Sequence, residues 1–289
     1  MPTTANPSSM QVTKLSEHIG AEVTGIDLTQ PVDSVTRQRL NRAVVEHVAL
    51  VIRDQRFTAP QFAAAAALFG ELMEQEAEED RLPGVPCVGV LSSRKLGHDG
   101  NIRKVGPKWH TDHTSYLRPP KYTTLYPVEL PRSGGGTSVV NMRAAYAALP
   151  DAVKRRIDPL ITANVIVSSA VTHASTARLA LQKELNPEPV LQPLVRTHPD
   201  TGAKAIYFSQ NRVENIVGMT PQDSQVLLQE LLDTAVRPAF VYSHTWRLGD
   251  MLIWDNRASM HKANYDYDPT DPSQRRYMYR ILVLGERPV

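Results

Sequence analysis

The sequence predicts a mostly β fold flanked by helices. Three observations support this prediction. Between Pro83 and Asn141 the pattern is strand-like, with frequent Gly and Pro. Strand-like runs return after residue 239. Strand–helix alternation is not sustained, and no GxGxxG or Walker-type loop is present, which disfavours a parallel doubly wound sheet.

The front of the chain mixes strand and helix. Residues 1–10 are polar and aperiodic, so we expect a loose terminus there. Thr58-Ala-Pro60 resembles the start of a helix. The predicted elements are a strand pair over Gln11–Leu28, an amphipathic helix over Asp33–His47, a strand over Ala49–Arg53 and a helix over Pro60–Leu68.

The rest of the chain alternates helical and strand-like stretches. Thr220 can cap the helix that follows it, and Pro221 suits its first turn. Helices are predicted over Met142–Ile157, Thr176–Asn186 and Pro221–Ala235, and strands over Phe240–Tyr242, Asp250–Asp255 and Tyr277–Leu284. With 289 residues, 42% hydrophobic, we expect a single domain over residues 11–289 with a helical insertion around 142–190.

Composition excludes several classes of function. The net charge is only +2 and both signs are interspersed, so no one-signed surface is available for nucleic acid. The longest apolar run, near Phe62–Phe69, is far below the roughly 20 residues that cross a bilayer. No signal segment opens the chain, so we expect a soluble, cytoplasmic protein. Because Cys87 is the single cysteine, a bound metal needs nitrogen and oxygen ligands.

A candidate metal motif lies in Lys108–Tyr116, where His110 and Asp112 are two residues apart. Alternate residues of a strand project to the same face, so both side chains could ligate one ion. A lone pair of this kind is weak, because a salt link at a strand edge has the same pattern. A third, distant ligand is therefore needed.

His261 is the best candidate for that third ligand, since it follows the predicted strand that ends at Asp255. Two histidines and one carboxylate on one face of a metal leave positions open for substrate and O₂, as non-haem Fe(II) oxygenases require. Zinc also accepts this ligand set. The ligands alone leave both metals open.

Two arginines downstream add a second kind of chemistry. On a strand, Arg276 and Arg280 would point to the same face, where two guanidiniums repel each other unless anions are supplied. One interpretation is that both arginines are exposed on an edge strand. The other interpretation is that Arg276 clamps a dicarboxylate while Arg280 meets a second anionic group. A co-substrate that chelates iron at one end and carries a carboxylate at the other fits this demand.

Several motifs in a fixed order resemble a known family. They are Ile19-Gly-Ala-Glu-Val-Thr-Gly-Ile-Asp-Leu28, Val51-Ile-Arg-Asp-Gln55, Phe69-Gly-Glu-Leu72, Trp109-His-Thr-Asp112, Gly134-Gly-Gly-Thr137, Trp254-Asp-Asn-Arg257, His261 and the Arg276/Arg280 pair. With them, the chain resembles the TauD/TfdA family of 2-oxoglutarate dioxygenases. The resemblance covers nearly the whole chain.

The resemblance implies a double-stranded β-helix, or jelly-roll, core and an enzyme that uses Fe(II), 2-oxoglutarate and O₂. It implies His110, Asp112 and His261 as iron ligands. It further implies that Thr137 and Arg276 hold the distant carboxylate of 2-oxoglutarate. Because the spacing from His261 is longer than in the taurine enzyme, Arg275 stays an alternative to Arg276. Family members commonly self-associate, so a homo-oligomer is expected.

The resemblance also implies a small anionic organic substrate that is hydroxylated, with succinate and CO₂ as co-products. Arg280 matches a family arginine near the acidic group of the substrate. Arg212 lies where the family has a substrate-facing residue, although an exposed loop arginine is an alternative. Tyr116 could line either the pocket or the core.

The substrate class is narrowed by departures from the taurine enzymes. Those enzymes have a histidine and an asparagine where this chain has Met73 and Gly106, so taurine is disfavoured. Asn215–Met219 and Phe240–Trp246 resemble the chlorophenoxyacetate branch. A carboxylate such as an aryloxyalkanoate is therefore favoured over a sulfonate.

Two other functions remain open from the sequence. A zinc-dependent hydrolase could use the same three ligands to activate water, but it gives no reason for Thr137 with Arg276. A jelly-roll binding protein that has lost catalysis is the other alternative. Such a protein would not need a complete set of metal ligands, whereas this chain has one.

Overall fold

A computed structural model describes residues 10–75, 78–96, 102, 104–166 and 188–289. Met10, the last residue of the stretch expected to be a loose terminus, is buried. The predicted helix over Thr176–Asn186 lies outside the described residues, and the division into one domain with an insertion stays a prediction. No helix in the described ranges is long and apolar enough to cross a membrane.

The described residues form a mostly β structure, as predicted. The strands are β1 (Gln11–Lys14), β2 (Ala21–Thr24), β3 (Ala49–Ile52), β4 (Leu72–Met73), β5 (Arg81–Leu82), β6 (Val85–Ser92), β7 (Pro120–Glu129), β8 (Thr137–Asn141), β9 (Ile161–Asn164), β10 (Val190–Pro193), β11 (Val195–Thr197), β12 (Lys204–Ile206), β13 (Val213–Ile216), β14 (Val241–His244), β15 (Met251–Asp255), β16 (Ser259–Ala263) and β17 (Tyr277–Leu284). The helices are α1 (Ser34–His47), α2 (Ala59–Ala67), α3 (Met142–Ala147), α4 (Asp151–Ile157) and α5 (Pro221–Ala235), with 3₁₀ turns at Glu78–Asp80 and Pro238–Phe240.

Side-chain caps explain where the helices begin. The Asp33 carboxylate accepts hydrogen bonds from the first turn of α1, and Thr220 does the same for α5. Thr58 and Gln61 form a reciprocal capping box at α2. The predicted single helix over Met142–Ile157 is wrong, because it is two helices. Pro150 separates them, since its ring and missing N–H cannot continue α3 and it instead occupies the N-cap of α4.

Two largely antiparallel sheets position the candidate site. The larger sheet has the order β1-β2-β3-β15-β7-β17-β6-β5, with β4 also paired to β17, and its one parallel pair is β2 with β3. The smaller sheet has the order β14-β8-β16. The strands β9 to β13 form two further small sheets. Only β9 and the first residue of β10 fall within the stretch around 142–190 where a helical insertion was expected.

Buried apolar residues pack both between the two sheets and on their outer faces. One cluster between them joins Leu125 of β7 and Leu252 of β15 to Val139 of β8. Val140, the next residue of β8, packs in another cluster with α3 and α5, because successive strand residues face opposite sides. A third cluster packs α1 and α2 on the outer face of the larger sheet. The sheets therefore face each other and the helices cover their outer faces.

Candidate metal centre

His110 and His261 are direct cross-strand partners. The His110 N–H donates to the His261 carbonyl at 3.0 Å, and the His261 N–H donates to the His110 carbonyl at 2.8 Å. This pairing brings the two ring centroids to 4.1 Å. Residues 151 positions apart are thus held side by side by backbone hydrogen bonds.

Asp112 reaches the same point by a different route from the one predicted. His110 forms an isolated bridge and the chain turns at Asp112, so the two residues do not alternate along a regular strand. His113 has a left-handed φ of 48°, which turns the chain away from the bridge. The Thr123 hydroxyl of β7 donates to Asp112 Oδ2 at 2.6 Å and fixes the carboxylate.

The three side chains form a donor set suited to a cation. One ligand atom from each of His110, Asp112 and His261 lies within 4.8 Å of the others. His110 Nε2 lies 3.9 Å from Asp112 Oδ1, and His261 Nε2 lies 3.7 Å from Asp112 Oδ2. Both distances are too long for hydrogen bonds. The atoms converge without bonding one another, so they fit a bound metal ion.

The protonation states favour metal binding as well. Burial lowers the pKa of both His110 and His261, which keeps the imidazoles neutral. Burial raises the pKa of the Asp112 carboxyl, but neighbouring positive charge, which includes the Arg280 guanidinium, outweighs this effect and holds the pKa below its usual value. Neutral imidazoles and a carboxylate bind a metal ion without first losing protons.

A cavity opens beside the triad, between the two sheets. Thr137, Arg276 and Arg280 line it together with His110 and His261. The structure therefore brings the predicted anion-binding residues and two residues of the triad to one space.

Thr137 and Arg276 form one end of the cavity. Arg276 donates through Nε to the Gly135 carbonyl at 2.8 Å and through Nη2 to the Thr137 hydroxyl at 3.3 Å. Trp246 Nε1 also donates to the Thr137 hydroxyl at 3.1 Å, so the hydrogen of that hydroxyl remains available to donate to a ligand. A Cβ at Gly136 would lie 2.7 Å from the His244 carbonyl, which explains a glycine before Thr137.

Arg280 lies elsewhere on the cavity wall. Its Nη2 donates to the Gln75 side-chain oxygen at 2.8 Å, and its Nε has no partner among the described residues. Arg275 instead pairs with Glu129 at 2.9 Å and is not among the cavity-lining residues. This geometry favours Arg276 over Arg275 as the cavity residue.

The two other predicted substrate residues lie away from this lining. Arg212 donates to the Ile166 carbonyl, and the Tyr116 ring packs at a tilt against His113 with centroids 4.7 Å apart. Neither is among the residues that line the cavity. Their contact with substrate stays a prediction.

Several cavity residues were missed by the sequence analysis. Tyr265 and Tyr267 stack on each other at the cavity, and the Tyr265 hydroxyl bonds both backbone groups of Val105. Tyr265 and Tyr267 are two residues apart and follow His261 closely, so their spacing could have predicted that they share a face. Thr123 gave no such signal, and neither did Gln75, which contacts the cavity residue Arg280.

Comparison with known proteins decides the family. Residues 11–282 match the family described as taurine catabolism dioxygenase TauD, TfdA family. The chain belongs to the TauD/TfdA family. The (S)-phenoxypropionate/α-ketoglutarate dioxygenase of Sphingobium herbicidovorans is 32% identical, over 96% of each chain. The α-ketoglutarate-dependent 2,4-dichlorophenoxyacetate dioxygenase of a Burkholderia species is 30% identical, over 84% of this chain and 83% of that one.

Solved structures agree with this membership. A putative α-ketoglutarate-dependent taurine dioxygenase from Burkholderia xenovorans superposes with a TM-score of 0.80 and 33% identity, over 97% of this chain and 91% of that one. The AAD-2 protein in complex with Mn(II) and N-oxalylglycine gives 0.79 and 31%, over 96% and 98%. This TauD/TfdA chain is a 2-oxoglutarate-dependent non-haem iron dioxygenase, an oxidoreductase that uses Fe(II), 2-oxoglutarate (α-ketoglutarate) and O₂.

Proposed function

We propose that this dioxygenase hydroxylates a small anionic organic substrate, with a carboxylate such as an aryloxyalkanoate favoured over a sulfonate, and releases succinate and CO₂. One observation carries the proposal. A single cavity joins the His-Asp-His triad to the guanidiniums of Arg276 and Arg280. Neither guanidinium has a carboxylate within ion-pair distance in the described ranges. Two cations facing one cavity call for two anionic groups.

His110, Asp112 and His261 would hold Fe(II). Three donors of this kind suit non-haem iron and leave other coordination positions for co-substrate and O₂. When bound, Fe(II) and 2-oxoglutarate together activate O₂ and supply the oxidant that hydroxylates a C–H bond. The residues of the chain bind and orient the reactants and exclude water.

Thr137 and Arg276 would hold the far carboxylate of 2-oxoglutarate. The Thr137 hydroxyl has its hydrogen free to donate, and Arg276 donates to neutral acceptors without forming an ion pair in the described part of the chain. Burial lowers the pKa of Arg276, so an anion beside this guanidinium would stabilise its charged form. A carboxylate could do so through a charge-assisted hydrogen bond.

Arg280 would face the acidic group of the substrate. Its Nε lacks a partner among the described residues, and Gln75 holds its Nη2 through a neutral oxygen, so Arg280 can still bind an anionic group. Leu91, Leu125 and Trp254 give the cavity an apolar wall suited to an aryl or alkyl group. Names of relatives support this class, since one acts on phenoxypropionate and another on 2,4-dichlorophenoxyacetate.

We also infer that the two facing sheets form the double-stranded β-helix expected for this family. Their antiparallel pairing and the position of the triad between them support that inference. A zinc hydrolase with the same triad is not favoured, because it leaves Thr137 and Arg276 without a task. Self-association stays a prediction.

A screen of coupled succinate release tests the proposal. The full chain with Fe(II), 2-oxoglutarate and O₂ is offered 2,4-dichlorophenoxyacetate, (S)-2-phenoxypropionate, taurine and an alkyl sulfate ester. We expect an aryloxyalkanoate to stimulate succinate release most. Arg280→Met should abolish the stimulation, whereas the matched variant Arg275→Met should retain it, because Arg275 lies outside the cavity. Stimulation by taurine alone, or equal loss in both variants, would contradict the substrate assignment.

A further inference from the structure

A chain of buried hydrogen bonds runs from Trp254 to the Asp112 carboxylate. Trp254 Nε1 donates to Asn256 Oδ1 at 3.2 Å, and Asn256 Nδ2 donates to the Thr123 hydroxyl at 2.8 Å. Thr123 in turn donates to Asp112 Oδ2 at 2.6 Å. All four side chains are buried, so water does not compete for these bonds.

The direction of each bond is fixed by the one before it. An indole N–H can only donate, so Asn256 must turn its amide oxygen to Trp254 and its amide nitrogen to Thr123. The Thr123 oxygen therefore accepts from Asn256, and the hydroxyl hydrogen points to Asp112. A residue without contact to the carboxylate thus decides how the carboxylate is held.

The same indole also contacts a second member of the triad. The Trp254 ring packs against the His261 ring with centroids 4.4 Å apart. At the other end of the chain, Asp112 Oδ2 accepts a hydrogen bond from Thr123, while Oδ1 accepts none in the described part of the chain. One side chain therefore supports His261 directly and Asp112 through two intermediates.

We propose that Trp254, Asn256 and Thr123 are positioning residues of the metal centre, which reserve Asp112 Oδ1 for the ion and orient it relative to His261. The proposal rests on the proposed function, because it assumes that the triad holds the metal. Outer partners of metal ligands orient them, and their loss typically weakens metal binding about 10- to 100-fold. Presenting one carboxylate oxygen rather than two leaves a coordination position for other ligands.

Binding of Mn(II) by the metal-free full chain tests the proposal without any substrate. Free Mn(II) is measured by electron paramagnetic resonance during titration. Thr123→Val keeps the shape of the side chain and removes its hydroxyl, so it should raise the dissociation constant about 10- to 100-fold. Thr123→Ser restores a hydroxyl and should restore most of the affinity.

Thr124→Val is the matched control. Thr124 is the next residue of β7, is equally buried, and donates its hydroxyl to the Ile281 carbonyl rather than to Asp112. Its dissociation constant for Mn(II) should stay at the wild-type value. Thermal unfolding of both valine variants checks that loss of affinity does not come from loss of the fold.

Asn256→Asp tests whether the relay has a direction. An aspartate there offers Thr123 only acceptor oxygens, so the hydroxyl would turn from Asp112 to residue 256. Affinity for Mn(II) should fall as much as in Thr123→Val, although Thr123 is intact. Because both changes break the same link, the double variant should bind no more weakly than Thr123→Val alone.

A Co(II) spectrum gives a second readout, since its visible bands report the coordination of the ion. We expect Thr123→Val and Asn256→Asp to change these bands and Thr124→Val to leave them as in wild type. Affinities for Mn(II) within about twofold of wild type in both variants, where a typical loss is tenfold or more, would overturn the relay alone. A wild-type chain that binds no Mn(II) would overturn the proposed function as well.

Discussion

Replacing Asp255 with asparagine tests how buried charges hold the turn that leads to His261. Asp255 is 1% exposed and accepts hydrogen bonds from the Arg257 guanidinium at 2.7 and 2.8 Å and from His198 at 3.0 Å. Its backbone carbonyl also accepts from Ser259 at 2.7 Å. Burial raises the pKa of its carboxyl, but Arg257 outweighs burial and holds the pKa below its usual value.

The size of the stability loss depends on the contacts that Arg257 retains in the variant. Removing one partner of a buried ion pair typically costs about 3–5 kcal/mol. Arg257 would still contact Asp200 at 3.0 Å and the Tyr122 hydroxyl at 3.0 Å. We therefore expect the lower end, about 3 kcal/mol of unfolding free energy. At about 2–4 °C per kcal/mol, Tm should fall by about 6–12 °C.

Urea and thermal unfolding at neutral pH measure this loss. Glu129→Gln is the matched control, because Glu129 pairs with Arg275 at a similar 2.9 Å but is 45% exposed. That exposed pair should contribute no more than about 1 kcal/mol. A stability of Asp255→Asn within about 1 kcal/mol of wild type would refute the reasoning, because it would make the buried pair equivalent to a surface pair.

The pH dependence of the same variant follows from the lowered pKa of Asp255. A carboxyl whose folded pKa lies below its unfolded pKa stabilises the protein above the unfolded value, and this contribution is lost as the pH falls towards the folded value. The difference in stability between wild type and Asp255→Asn should therefore narrow below about pH 4. A difference that widens in acid would contradict the direction of the shift.

Three further outcomes are expected. Gly106→Ala should weaken Mn(II) binding about tenfold, because its Cβ would lie 2.9 Å from His110 Cε1 and the φ of +68° strains a side chain; unchanged affinity in a titration would contradict this. Arg276→Lys should raise KM for 2-oxoglutarate about tenfold or more, since an ammonium cannot replace the guanidinium fork, and an unchanged KM in steady-state kinetics would remove Arg276 from the co-substrate site. Gln75→Glu should raise KM for the acidic substrate selectively, because a carboxylate would neutralise Arg280; an equal rise for 2-oxoglutarate would oppose that role.

Elements with strong local signals were predicted closely from the sequence. The helix over Pro221–Ala235 and the strand over Tyr277–Leu284 have the predicted bounds, because a threonine cap with proline begins the first and aromatic and β-branched residues fill the second. The strands β9 to β13 were missed. Each has only three or four residues, which is too short for a period of two to stand out.

The candidate site was predictable where spacing carries chemistry. His110, Asp112 and His261 were selected by ligand type, and their meeting depends on a cross-strand bridge that the spacing does not reveal. Gln75 could not be found in this way, because it meets Arg280 from 205 residues away and an isolated glutamine carries no motif. Tertiary pairing, rather than local preference, creates such contacts.

Anaerobic titration of Fe(II) in the presence of 2-oxoglutarate tests the central claim most directly. A keto acid chelated to Fe(II) absorbs visible light by charge transfer, so the band reports metal and co-substrate at one centre. We expect the band to saturate at one ion per chain in the wild type and to be absent in His110→Ala, Asp112→Ala and His261→Ala. An undiminished band in His261→Ala would contradict the claim that these three side chains meet at one iron.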